Sequence, residues 1–371
     1  MIAETETSSS ASKLQHPIDL LSKVLFHAYF GGFEQPCSDL RAIQPELEAI
    51  AALDGKAREE FINLANSHHV IVRTLSFLEG GDFETEWCKE VLATERARTA
   101  HALDFLNEIW RALESHGCKV AVIKSLDHWP DLGSDLDLYT TAAEQTVETV
   151  MWHQFHATAA ERSWGDRLAH KWNFRVPGLP ELVEIHVRYL GQTGEHNAMA
   201  HRVIERRVIK TLAGQQFFVP APEERVVIST LQRMYRHFYF RLCDMADVSA
   251  MLQKDELDFS ELRKAADVGG IWPGVATFLS LVANYVRSQG GAVELPEEVL
   301  ESACSRHLQV HFEDGFLRVP KLPAAGLYGA QLLTAGRNFD VRAMCRLPLL
   351  PPLAVSALVA MHLTGSDKGV W

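Results

Sequence analysis

The chain has 371 residues, of which 47% are hydrophobic and 23% are charged. This amount of apolar material is enough for one large or two to three ordinary globular domains, and it excludes intrinsic disorder as the chain's general character. The 36 basic and 48 acidic side chains give a formal net charge of −12, which excludes an extended nucleic-acid surface based on a general positive field. Any phosphate-binding site must therefore be local.

The cysteines and the N-terminus indicate the compartment. The six cysteines are scattered without a C-x-x-C pair, which favours neither a disulfide framework nor a cysteine zinc site. Residues 1–13 are polar, acidic and rich in Ser and Thr, without the basic start and apolar core of a signal peptide. We predict a disordered tail over 1–13 and a cytoplasmic protein.

Residues 14–116 have a helical pattern. Ile18, Leu21 and Leu25 recur at three- and four-residue spacing, as one face of an amphipathic helix does. A longer pattern of the same kind covers 84–115 and ends at His116-Gly117, where a glycine is a normal stop signal. We predict an N-terminal helical region over 14–116.

The pattern changes over residues 117–220. Several segments either are β-branched or alternate polar and apolar residues, which is typical of strands. The predicted strands cover 119–123, 135–140, 172–176 and 182–187, with 215–219 as a further candidate. Because a helix is also predicted over 141–156, we expect an α+β fold in which a small mixed-sheet module lies between two helical regions.

Residues 221–371 return to a helical pattern, with one long helix predicted from 223 to about 254. Residues 351–363 are strongly apolar, but they are fewer than the roughly 20 residues that span a bilayer. We predict a buried terminal helix there, with a helix lying on a membrane surface as the alternative. Membrane contact is therefore not expected.

Two predicted strands carry acidic side chains. Asp135 and Asp137 lie two residues apart in one strand and so point to the same face. Side-by-side carboxylates repel each other, but a divalent cation offsets the repulsion, and oxygen ligands suit Mg²⁺. Glu184 and His186 share one face of another strand, and if the two strands are neighbours, three carboxylates converge. A surface strand with its acids in water is the alternative.

Three converging carboxylates are suited to phosphoryl or nucleotidyl transfer, in which divalent metal neutralises the charge of a triphosphate. His186 is a candidate general base beside Glu184, and a structural hydrogen bond to the site is the alternative role.

A basic segment follows the predicted strands. Residues 201–243 contain eight basic and three acidic side chains, a local net charge of +5. Arg236 and Arg241 lie on a broad face of the predicted long helix, where they can meet nucleotide phosphates. The alternative is a solvated face whose arginines form ion pairs with Asp244 and Asp247.

The stretch VAVIKSLDHWPDLGSDLDLYT resembles the signature of the nucleotidyltransferase-fold superfamily, the DNA polymerase β-like group, in which a Gly-Ser turn precedes a D-x-D strand. It is more closely similar to the bacterial uncharacterised nucleotidyltransferase family, which has a Lys-Gly turn, a D-x-D strand and a later acid-x-His strand. The segments ELVEIHV and RLCDMADVSAML extend this resemblance, which covers residues 119–254.

The resemblance implies a nucleotidyltransferase-fold module in which Asp135, Asp137 and Glu184 are both the catalytic residues and the ligands of Mg²⁺ or Mn²⁺. It also implies transfer of a nucleoside monophosphate, most simply AMP from ATP, to a hydroxyl of a small-molecule or protein acceptor. The residues expected to bind the nucleoside triphosphate are Lys124, Ser125, Arg236 and Arg241.

The chain departs from the family at the turn, which reads Ile123-Lys124-Ser125 and contains no glycine. Glycine lets backbone N–H groups approach a phosphate closely. Its absence leaves a second hypothesis open, in which the fold is catalytically degenerate and acts as a nucleotide-binding or scaffold protein.

Overall fold

The structure is a computed structural model that describes residues 16–28, 40–254, 256–306 and 308–364. The tail predicted over 1–13 lies outside these ranges. The N-terminal helices are α1 (Pro17–Ala28), α2 (Gln44–Ala51), α3 (Gly55–Ser67), α4 (Ile71–Leu75) and α5 (Glu86–Ser115), with a 3₁₀ turn at Leu40–Ile43. The helix predicted over 84–115 is α5, and Gly117 follows it with a φ of 77°, as expected of a helix stop.

A mixed sheet forms the centre of the module. Its strands are β1 (Val120–Val122), β2 (Asp135–Thr140), β3 (Thr158–Ala159), β4 (Lys171–Arg175) and β5 (Leu182–Val187). Their order is β1-β2-β5-β4-β3, with β2 and β5 parallel and the other neighbours antiparallel. The predicted α+β fold, a small mixed sheet with flanking helices, is confirmed.

Further helices and a second sheet complete the module. They are α6 (Glu144–Phe155), α7 (Trp164–Leu168), α8 (Ala198–Glu205), β6 (Val208–Leu212) and β7 (Gln215–Val219). The candidate strand over 215–219 is therefore present, but it pairs with β6 in a separate two-stranded sheet.

The main sheet has one apolar face. Leu136 and Leu138 of β2 and Val183 and Ile185 of β5 are fully buried in a core that includes the inner face of α5. Burial of this surface stabilises the sheet by about 25 cal/mol per Å² of apolar area. Because side chains alternate along a strand, the residues between them point to the opposite face, where the acids lie.

The C-terminal part is mainly helical. Its helices are α9 (Pro222–Thr230), α10 (Leu242–Gln253), α11 (Phe259–Val268), α12 (Trp272–Ser288), α13 (Glu297–Ser302), α14 (Lys321–Arg337), α15 (Val341–Arg346) and α16 (Leu350–Thr364), with a 3₁₀ turn at Leu347–Leu349. It also contains a small sheet of β8 (Tyr239–Phe240), β9 (His311–Glu313) and β10 (Phe316–Arg318).

The prediction of one helix from 223 to about 254 is wrong. A π-helical turn over Leu231–His237 follows α9, and the chain then passes through Phe238, whose φ of 56° is left-handed, into β8. The segment contains neither proline nor glycine, so the usual sequence signals of a helix break are absent. π-turns often occur at functional sites, and this one carries Arg233 and Arg236.

The terminal helix α16 is not buried as predicted. Val355, Val359 and Leu363 are 59%, 52% and 75% exposed, and their four-residue spacing places them along one side. Composition alone could not show this, because an apolar sequence does not determine whether a neighbour covers it. None of the described helices combines the length and apolarity needed to span a bilayer.

A buried charge network joins the N-terminal helices to the rest of the molecule. The guanidinium of Arg73 in α4 is fully buried and contacts Asp131, in the β1–β2 connection, at 3.0 Å and Asp247 of α10 at 2.7 Å. The backbone N–H of Val72 also donates to Asp131, at 2.7 Å. Buried charges are tolerated only when they are paired and hydrogen-bonded, so this network fixes three parts of the chain together.

We expect Arg73→Met to reduce the free energy of unfolding by about 3–5 kcal/mol, because it leaves buried Asp131 without its cation and leaves Asp247 with His128 alone. The matched control is Arg96→Met, since Arg96 pairs with Glu79 at the surface, where both side chains are nearly half exposed. It should cost no more than about 1 kcal/mol. Urea unfolding of both variants checks this, and equal losses would contradict the role of the network.

Lys210 provides a pH-dependent test of the packing of β6. Burial, with the charge of Arg225 adding to it, lowers the pKa of Lys210 to about 8, while its Nζ donates to the carbonyl of Leu126 at 2.7 Å. Between pH 8 and about 10.4 the unfolded chain binds a proton that the folded chain does not, so stability rises with pH in this window. Between pH 7 and 10, the free energy of unfolding of the wild type should therefore rise by up to about 3 kcal/mol more than that of Lys210→Met. Parallel pH profiles in chemical denaturation would contradict this.

Candidate functional site

The register of β2 and β5 places the predicted acids side by side. Asp137 lies opposite Glu184 in the parallel pair, and Asp135 precedes Asp137 by two residues on the same face. Both Asp137 and Glu184 are buried, whereas Asp135 is partly exposed. Two of the three carboxylates expected to converge, Asp137 and Glu184, are therefore neighbours in the structure.

Cations surround the carboxylate pair. The ammonium of Lys124 forms an ion pair with Asp137 and lies 3.6 Å from Glu184. Nε2 of His186 is 2.8 Å from Glu184 Oε1 and 3.8 Å from Asp137 Oδ1. Burial raises the pKa of Glu184, but the charges of Lys171 and Lys124 and the hydrogen bond with His186 outweigh it and hold this pKa well below its usual range. Glu184 is therefore an anion at neutral pH.

Asp135 has a different environment from its neighbours. Burial raises its pKa to about 6, and the negative charges of Asp137 and Glu184 add to this effect. The potential ligand atoms of Asp137, Glu184 and His186 lie within 4.8 Å of one another, and Asp135 is not in this cluster. Asp135 lines a cleft that Asp137 and Glu184 also line.

The turn that lacks a glycine is formed nonetheless. Lys124 adopts a φ of 62°, a conformation that glycine takes readily and a bulkier side chain takes at a cost. Ser125 is buried, and its Oγ donates to the carbonyl of Asp135 at 3.1 Å and accepts from the N–H of Asp137 at 2.7 Å. The serine thus fixes the strand that carries the acids, and its hydroxyl is already hydrogen-bonded to that strand.

Lys171 was not assigned a role from the sequence, yet it belongs to the site. Its Nζ lies 2.9 Å from Glu184 Oε2 and 2.7 Å from Asp166 Oδ1. In β4, Lys171 is the register partner of His186, so its side chain points to the acidic face. The alternation along β4 could have placed it on that face once the strand order was known, but the sequence alone did not give the order.

The cleft is also lined by basic side chains. Arg236 and Arg241 both line it, as does Arg233, and neither Arg236 nor Arg241 forms an ion pair with a carboxylate of the described residues. The pairing considered between Arg241 and Asp244 is not made by the guanidinium: Asp244 Oδ2 accepts from the backbone N–H of Arg241 at 2.7 Å and pairs with Arg233 Nε at 2.7 Å. The cleft has an empty volume of about 710 Å³, including its solvent-filled mouth.

A second, more apolar pocket adjoins the cleft across Lys124 and Arg236. Its apolar walls come from Ile123, Leu190, Ile228, Leu231 and Leu350, and its empty volume is about 560 Å³. Gln192 and His186 also line it, and within the described chain the buried atoms Gln192 Oε1 and His186 Nδ1 have no hydrogen-bond partner. Such atoms are costly to bury alone, so the pocket is suited to a ligand with an apolar body and polar hydrogens.

The carboxylate cluster fits a divalent cation. Asp137 Oδ1 is buried, and its close contact among the described residues is the ammonium of Lys124. Carboxylate oxygens are the ligands that Mg²⁺ prefers, and Mn²⁺ accepts an imidazole as well. The donor set of Asp137, Glu184 and His186 therefore suits either ion, with Asp135 as a further oxygen donor at the edge.

No curated protein matches the chain. One solved structure, an antigenic nucleotidyltransferase-like protein from Paracoccidioides brasiliensis, is 16% identical with a TM-score of 0.34, and the match covers 55% of this chain and 98% of that one. This likeness is too slight to support a functional argument. A family model described as uncharacterised nucleotidyltransferase matches residues 56–287, more than half of the chain, and the chain belongs to this nucleotidyltransferase family.

Proposed function

We propose that the protein is a metal-dependent nucleotidyltransferase that transfers AMP from ATP to a hydroxyl group of an acceptor and releases pyrophosphate. The observation that carries the proposal is the register pairing of Asp137 with Glu184 in a cleft that Arg236 and Arg241 also line. Phosphoryl transfer requires carboxylates that hold a metal and cationic groups that bind phosphate, and this cleft contains both.

The metal, Mg²⁺ or Mn²⁺, would be held by Asp135, Asp137 and Glu184, and it would neutralise phosphate charge and stabilise the oxygens between which the phosphoryl group moves. The ammonium of Lys124 contacts Asp137, and Lys124 also lines the cleft. It is therefore placed to pair with either this carboxylate or a phosphate. We infer that it exchanges this carboxylate for a phosphate oxygen when the nucleotide binds. Lys171 stays on Glu184 and Asp166 and holds the site in place.

The remaining side chains orient the reactants. Arg236 and Arg241 offset the charge of the leaving pyrophosphate, and guanidinium groups bind phosphate in a bidentate manner. A new bond forms between the acceptor oxygen and the α-phosphorus while the bond from that phosphorus to the pyrophosphate oxygen breaks, and the proton of the acceptor hydroxyl passes to solvent. The acceptor, a small molecule or a protein side chain, enters from the apolar pocket, which His186 also lines.

A second candidate function is nucleotide binding without turnover. The observation that favours it is the ammonium of Lys124, which already supplies a positive charge between Asp137 and Glu184. If Lys124 does not leave, the carboxylates stay neutralised without metal. The two candidates differ in whether product forms when ATP is bound.

The double variant Asp135→Ala plus Asp137→Ala should reduce transfer of label from α-labelled ATP by at least about 100-fold, because the charge-stabilising oxygens are lost. The assay contains Mg²⁺ or Mn²⁺ and a panel of hydroxyl acceptors. The matched control is Glu148→Ala, a residue of α6 that does not line the cleft. Transfer by the double variant at the control level would rule out the assigned site.

Arg236→Gln and Arg241→Gln should each weaken binding of a non-hydrolysable ATP analogue about tenfold, since a charge-assisted hydrogen bond contributes roughly 1.5–3 kcal/mol. Calorimetry measures this, with Arg263→Gln as the control because Arg263 pairs with Asp267 on the exposed face of α11. Unchanged affinity in both cleft variants would place the phosphates elsewhere. Binding of the analogue, with no product from ATP itself, would favour the second candidate.

A further inference from the structure

A histidine and a cysteine that are far apart in sequence meet at the N-terminal end of α10. Nε2 of His128, in the β1–β2 connection, lies 3.8 Å from Sγ of Cys243. Both side chains are buried, and a ligand atom of Asp244 belongs to the same group, in which all three ligand atoms lie within 4.8 Å of one another. This group is distinct from the carboxylate cluster of Asp137 and Glu184.

The imidazole of His128 is held in one orientation. Its Nδ1 lies 2.5 Å from Asp247 Oδ2, and Asp247 is in turn held by Arg73 at 2.7 Å. The ring of His69 stacks on that of His128 with centroids 5.8 Å apart. A carboxylate on one ring nitrogen is the usual outer partner of a metal-bound histidine, because it fixes the tautomer and turns the other nitrogen to the metal.

The spacing of the donor atoms fits a transition metal. Bonds of about 2.0 Å to nitrogen and 2.3 Å to sulfur, at a tetrahedral angle, place the two ligand atoms about 3.5 Å apart. The observed 3.8 Å is close to that value. Asp244 is also fixed, since its Oδ2 accepts from the N–H of Arg241 at 2.7 Å and pairs with Arg233, and one of its carboxylate oxygens lies within 4.8 Å of the other two ligand atoms.

We propose that His128, Cys243 and Asp244 form a zinc site. A thiolate, an imidazole and a carboxylate together favour Zn²⁺ over Mg²⁺. The cluster at Asp137 is richer in oxygen donors and favours Mg²⁺. The Cys243 thiol loses its proton to solvent on binding, so thiolate and Asp244 carboxylate together offset the ion's charge. His128 also lines the cleft that contains Asp137 and Glu184.

The positions of these ligands in the sequence explain why no motif indicated the site. His128 and Cys243 are 115 residues apart, so no short ligand spacing exists, and the expectation that no cysteine zinc site is present rested on such spacings. The fold brings them together because the Arg73 network draws both the β1–β2 connection and α10 onto the N-terminal helices.

The test uses the full-length chain loaded with Co²⁺ as a spectroscopic substitute for Zn²⁺, with Mg²⁺ in excess to occupy the carboxylate cluster. We expect a sulfur-to-cobalt charge-transfer band in the near ultraviolet and, with Zn²⁺ itself, one ion per chain. Cys243→Ser should remove the band and weaken Zn²⁺ binding by at least about 100-fold, because loss of an outer partner alone costs 10- to 100-fold. Absence of the band in the wild-type protein would overturn the proposal without any variant.

Matched variants separate this site from other sources of metal binding. Cys88→Ser is the cysteine control, because Cys88 is buried in α5 and its thiol donates to the carbonyl of Leu75. It should keep both the band and the zinc. Asp137→Asn should keep them too, so the result does not depend on the proposed transferase activity. A band that survives Cys243→Ser, or zinc that is lost equally in Cys88→Ser, would overturn the assignment.

Discussion

The parallel pairing of β2 with β5 is the interaction on which the site depends. It brings two buried carboxylates, Asp137 and Glu184, next to each other, and their repulsion must be offset. Lys124 and Lys171 supply the compensating charge from the turn after β1 and from β4. The fold thus holds two buried anions whose charge is balanced by ammonium groups, and under the proposed function Lys124 moves when the nucleotide binds while Lys171 stays in place.

The break after α9 gives the cleft its basic side chains. A continuous helix over 223–254 would spread Arg233, Arg236 and Arg241 along one helix axis. With the π-turn and β8 in its place, all three arginines line the cleft. The acidic and basic side chains of the cleft therefore come from separate parts of the chain. The Arg73 network fixes the arrangement, because it links the connection before β2 to α10.

Local patterns predicted the mixed sheet well, because alternation and β-branching are properties of a strand itself. The D-x-D and acid-x-His spacings also predicted which side chains share a face, and the structure brings Asp137, Glu184 and His186 together. The π-turn, the position of Lys171 and the exposure of α16 were not predictable in this way. Each of them depends on strand order or on neighbours that lie far away in sequence, and neither is recorded in a local pattern.

The turn shows a limit of reasoning from motifs. The missing glycine suggested a damaged phosphate site, yet Lys124 adopts the left-handed conformation itself, and Ser125 anchors the strand of acids. What matters physically is the backbone conformation and its hydrogen bonds, which a residue other than glycine can reach at a cost.

The most direct test of the account is a crystal structure with Mn²⁺ and a non-hydrolysable ATP analogue, in which anomalous scattering locates the ion. The account predicts a manganese peak between Asp137 and Glu184, the Lys124 ammonium moved from Asp137 to a phosphate oxygen, and phosphates within hydrogen-bond distance of Arg236 or Arg241. An analogue bound elsewhere, or Lys124 still paired with Asp137 and no manganese beside it, would contradict the central claim.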